Sequence, residues 1–104
     1  MPDASQDTPV LDTLAAMTAV SVAESDLPPA ALMLVRLAAL AAVDAGPASY
    51  LLNIGPAAEA GITLEDAQNV LVAVAPIIGT ARVMSAAINI AEALELAIAV
   101  VESS

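Results

Sequence analysis

From Leu27 onward the chain runs in long blocks of Ala, Leu, Ile, Val and Met, with turn signals at wide spacing and no sustained alternation of apolar and polar positions. Such blocks read as helix, because alanine and the unbranched apolar residues favour it and a half-buried strand needs a period of two. The pattern predicts an all-α fold, a small five-helix bundle forming one domain over residues 10–104, behind a flexible acidic tail over residues 1–9. The first helix is expected over about Val10 to Ala23, with Asp12, Ser21 and Glu24 toward water. Asp26-Leu27-Pro28-Pro29 then resets the chain, since proline is tolerated in a first helical turn and disfavours helix before it.

A second helix, about Pro28 to Val43, carries Arg36 as its only charge, and a helix apolar on every side is expected to be central and buried all round. Ala45-Gly46-Pro47 ends it. The third, about Pro47 to Ala60, contains Gly55-Pro56, where the missing amide predicts a kink or a split, and Gly61 closes it as a C-terminal cap. Thr63-Leu64-Glu65-Asp66 is close to a capping box, with Asp for the usual Glu, and opens a helix that Pro76 to Gly79 ends. Thr80 is expected to cap the last helix, Ala81 to about Val101. In that helix Arg82, Ser85, Asn89 and Glu92 recur at three- and four-residue steps as one narrow polar line, with Glu95 beside it and an apolar remainder.

The distribution of polar residues raises a question of burial. Of the 31 Asp, Glu, Arg, Asn, Gln, Ser and Thr residues, 12 fall in the first 26 positions, so only 19 remain to cover the other 78. A monomer would show more contiguous apolar surface than soluble monomers ordinarily do, which predicts a homo-oligomer with the second and last helices at the interface. A charge at Ile90 or Leu94 is expected to disrupt it. A spanning helix is not expected, because the longest uncharged runs, Ala45 to Ala58 and Ala67 to Ala81, fall short of the roughly 18 apolar residues a bilayer requires. Met1-Pro2-Asp3 opens an acidic start without a basic signal region, so a cytoplasmic location is expected.

Chemistry is narrowed by what is missing. Histidine, cysteine and lysine are absent and the net charge is −10, from 12 carboxylates against Arg36 and Arg82. Disulfides, thiolate or imidazole zinc sites, His-activated nucleophiles and Schiff bases are excluded, and no metal or cofactor is expected. Clustered cations are lacking too, which argues against nucleic acid and anionic membranes as partners.

From Leu27 to about Ala97 the layout resembles the alkylhydroperoxidase D-like and carboxymuconolactone decarboxylase family. The stretch that carries the resemblance is LVRLAALAAVDAG, followed by ASYLLNIGPAAEAGITLEDAQNVLVAVAPIIGTARVMSAAINIAEAL, with Gly61-Ile62-Thr63-Leu64-Glu65-Asp66 as the family-like helix start. The resemblance implies a small helical subunit assembled as a trimer or hexamer. Carried back from Gly61, it puts the family's histidine position on Asn53, its two cysteines on Ser49 and Gly46, and its proton-relay glutamate on Leu34. Serine cannot replace a thiol in a peroxide cycle, so a redox-inactive member is expected. Its role would be to assemble or to bind a small apolar or weakly acidic molecule. The alternative is a cofactor-free decarboxylase or isomerase acting on a small organic acid or lactone.

The candidate groups are few. Arg36 must meet a carboxylate, a carbonyl or a ligand, because an unpaired charge among apolar residues is costly. Arg82 is the second ligand candidate, or a surface charge. Tyr50, the one aromatic residue, is a proton donor or a core filler, and Asp44, Ser49 and Asn53 are either its catalytic companions or ordinary turn and helix residues. Glu92 and Glu95 read as a solvated face, since two carboxylates alone do not make a calcium site.

Overall fold

The structure is a computed structural model that describes residues 8–103. Five helices follow one another, α1 (Pro9–Glu24), α2 (Pro29–Ala42), α3 (Pro47–Glu59), α4 (Leu64–Ile78) and α5 (Thr80–Ser103), and no strand occurs among the described residues. Residues 1–7 of the expected tail lie outside the described residues, and Thr8 and Pro9 already form the start of α1. Three of the helices begin with proline at the first turn, at Pro9, Pro29 and Pro47, where the absent amide would have had no partner.

Helices α3 and α5 lie against each other, α2 lies against α4, and α2 also meets α3 and α5. The centre is built largely from alanine. Ala41, Ala86 and Ala93 are fully covered, and together with Tyr50 and Leu71 they form the core, ringed by residues such as Leu37, Leu40, Ile54 and Ile90. Ala86 and Ala93 stand two turns apart on one face of α5, so the backbone of a neighbouring helix approaches closely there. Such a core is narrow, and it leaves apolar side chains outside it.

Four expectations are corrected. Helix α2 is not buried all round: Val35 and Ala39 form an exposed strip one turn apart, because α1 stands off from the body and buries no side chain. Helix α3 runs through Pro56 as one element. Pro56 and Leu52, whose carbonyl loses its donor, are both exposed, so the lost bond falls on the solvent side of the helix. Thr80 is not a cap but the first residue of α5, and Gly79, whose carbonyl accepts from the Val83 amide at 3.1 Å, holds the capping position. Ile90 and Leu94 face inward, while Met84 and Ile88 carry the outward apolar face of α5.

Helix α5 is also long and apolar enough to cross a membrane, with mean hydropathy 1.7 over its most apolar 18 residues. A search for uncharged runs passes over it because Glu92 and Glu95 interrupt the pattern.

Candidate functional site

The polar line of α5 does specific work at the end of α2. Asp44 lies in the left-handed region at φ +56°, and around it the Asp44 amide reaches the Ala41 carbonyl (3.2 Å) and the Ala45 amide the Leu40 carbonyl (3.0 Å). This is the crossed pair of bonds that closes many helices, with aspartate where glycine is usual. The Val43 amide serves the Ala39 carbonyl and the Arg82 guanidinium serves that of Ala42, so the last four carbonyls of α2 all have donors. Ser85 donates to the Asp44 carboxylate at 2.6 Å, and Asn89 donates to the Ala45 carbonyl at 3.1 Å and to the Ser85 hydroxyl at 3.3 Å. Arg82, Ser85 and Asn89 thus clamp the α2–α3 connection, and Glu92 remains exposed beyond them.

Beneath this clamp α2, α3 and α5, with the start of α4, line a half-open cavity of about 180 Å³. Met33, Leu37, Tyr50, Ile54, Ile90 and Leu94 stand in its wall, while Thr63 and Asn53 give it a polar fringe. The entry to α4 is fixed on both sides. Gly61 (φ +83°) closes α3 through bonds from Gly61 to Ala58 and from Ile62 to Ala57, and Thr63 and Asp66 exchange the two bonds of a capping box at 3.0 and 2.9 Å. Ile62 is thereby held against the cavity.

Tyr50 is 3% exposed, and its buried hydroxyl has no hydrogen-bond partner. Burial pushes the phenol above its ordinary pKa, and the negative charge of Asp44 adds to the effect. Asn53 spends its amide nitrogen on the Ser49 carbonyl one turn back, at 2.8 Å. Arg36, half-buried on α2, lies in a second cleft under α1, where its Nη2 donates to the Ser21 hydroxyl (3.0 Å) and the Thr18 carbonyl (3.5 Å). The partner is a hydroxyl and a carbonyl; no carboxylate among the described residues pairs with it.

The candidates therefore divide. Tyr50 and Asn53 share the cavity, Asp44 and Arg82 belong to the clamp outside it, Ser49 contributes only backbone, and Arg36 belongs to the adjoining cleft. Among the described residues no group of three or more Asp and Glu is placed to hold a metal ion. The sequence reading missed Met33, Ile62 and Leu94 as cavity wall, and apolar residues so far apart carry no signal of a shared surface. Ser21, exposed as expected, also anchors Arg36. Ser85 and Asn89 were visible as a polar line, although what they bind was not.

No family model matches the chain, and no curated protein or solved structure matches it either.

Proposed function

We propose that this protein is a redox-inactive helical protein of the alkylhydroperoxidase D-like kind, self-assembled as a trimer or hexamer, that holds a small apolar or weakly acidic molecule between its helices. The observation that carries the reading is the apolar cavity walled by Met33, Leu37, Tyr50, Ile54, Ile90 and Leu94 among others. A buried cavity of about 150 Å³ lined by aliphatic residues binds benzene, so the space here admits a ring or short chain. The absence of cysteine supports the redox-inactive part of the reading.

The enzymatic alternative needs Tyr50, Asp44, Asn53 and an arginine around one cleft. Their separation between clamp, cavity and second cleft favours binding over chemistry.

Calorimetric titration with cyclohexanol tests the reading. Saturable binding at one site per chain is expected, and Ala57→Phe, which fills the cavity from α3, should abolish it while the helical content is kept. Absence of saturable heat in the wild type, or undiminished binding by Ala57→Phe, refutes it.

A further inference from the structure

Cavity and second cleft are neighbours: Leu40 and Asn53 stand in the wall of both. On the far side of those two residues is Arg36, roofed by Met17, Thr18 and Ser21 of α1. An apolar chamber and a guanidinium thus lie on opposite sides of Leu40 and Asn53. Among the described residues the guanidinium uses only Nη2, on two neutral oxygens, and its Nε and Nη1 make no hydrogen bond. A half-buried cation that no carboxylate among the described residues pairs with keeps its charge available there. Arginine offers five donors in a planar fork suited to a carboxylate.

We infer that the molecule held by this protein is an amphipathic carboxylate, with its apolar tail in the cavity beside Tyr50 and its carboxylate on Arg36 in the cleft under α1. This inference rests on the binding reading above and adds to it the charge and the direction of the ligand. The tail is a ring or a chain of about six to eight carbons, as a space slightly larger than a benzene-binding cavity requires. The carboxylate takes the free edge of the guanidinium, so α1 retains its bonds through Ser21 and Thr18 and covers the head group.

The test compares octanoate with 1-octanol, which shares the tail and lacks the charge, on the full chain and on Arg36→Gln and Arg82→Gln. Binding is read by calorimetry and by the fluorescence of Tyr50, the one aromatic residue in the chain. Octanoate is expected to bind the wild type at least tenfold more tightly than octanol, Arg36→Gln to erase that preference, and Arg82→Gln, which removes the same charge from the clamp outside both pockets, to retain it. Equal binding of the two ligands, unaffected by Arg36→Gln, overturns the carboxylate assignment and leaves the cavity reading standing. Loss of the preference in Arg82→Gln as well assigns it to the overall charge of the chain and overturns the role of Arg36. Failure of both ligands to bind overturns this inference together with the reading beneath it.

Discussion

Tyr50 is the residue at which stability and function pull in different directions. Its ring fills the centre of the bundle, while its hydroxyl meets no acceptor there. Tyr50→Phe keeps the ring and removes the orphaned group, so unfolding in urea should show the variant equal to the wild type or more stable by about 1 kcal/mol at neutral pH. A loss of stability would mean that the hydroxyl has a partner. The same residue sets an alkaline limit. Because the folded phenol ionises at higher pH than the unfolded one, it adds nothing to the pH dependence below about pH 10. Above that the unfolded chain loses its proton first, and stability falls until the folded phenol ionises too; the Tyr50→Phe variant should lack this component in melts across the range. That Tyr50 is special was legible in the sequence, as the one aromatic residue. That its hydroxyl is stranded depends on what α2 and α5 bring against it, and adjacent residues do not encode that.

At the scale of elements, the punctuation of the chain was readable wherever a residue has a single stereochemical use. Proline at Pro29 and Pro47, the left-handed Gly61 and the Thr63–Asp66 box mark helix ends as the sequence implied. The joint between α4 and α5 was misread by one residue, because threonine is a common cap and Gly79 was taken for the end of the preceding helix. Gly79 is the whole connection. Its backbone, at φ +88° and ψ 165°, lies in a region that residues with a Cβ scarcely enter, although no atom lies within 4 Å of where a Cβ would stand. Gly79→Ala should therefore cost about 1 to 3 kcal/mol in urea unfolding through backbone strain alone. A cost below a few tenths of a kcal/mol would show that the joint relaxes.

For the whole molecule, the chain exposes 7001 Å², against about 5,400 Å² given by the scaling of surface with mass for a 10.3 kDa monomer. Its radius of gyration, 14.8 Å, exceeds the roughly 13 Å of a compact chain of this length. Both excesses agree with the polar deficit read from composition, which is the one whole-molecule property the sequence disclosed; the standing-off of α1 it did not, because α1 is apolar without a clear stripe. Self-association through the outward face of α5 predicts a light-scattering mass well above 10.3 kDa at micromolar concentration. It also predicts a melting temperature that rises with protein concentration. Ile88→Glu, at a site 56% exposed in the single chain, should lower that mass without unfolding the helices. A mass near 10 kDa for the wild type would end the assembly proposal.

Helix α1 is hooked to the rest through Arg36 and buries none of its own side chains. Hydrogen exchange makes the consequence visible. Amide protons are protected only by the free energy of the cheapest opening that exposes them, and detaching α1 sacrifices little more than two hydrogen bonds to a guanidinium. Its amides should exchange orders of magnitude faster than those of α2 and α5, at a rate insensitive to low urea, while the central helices exchange only with the chain as a whole. The molecule would thus melt as two units, a detachable strap and a cooperative four-helix body, and proteases would find the segment between them, Ser25 to Pro28, first.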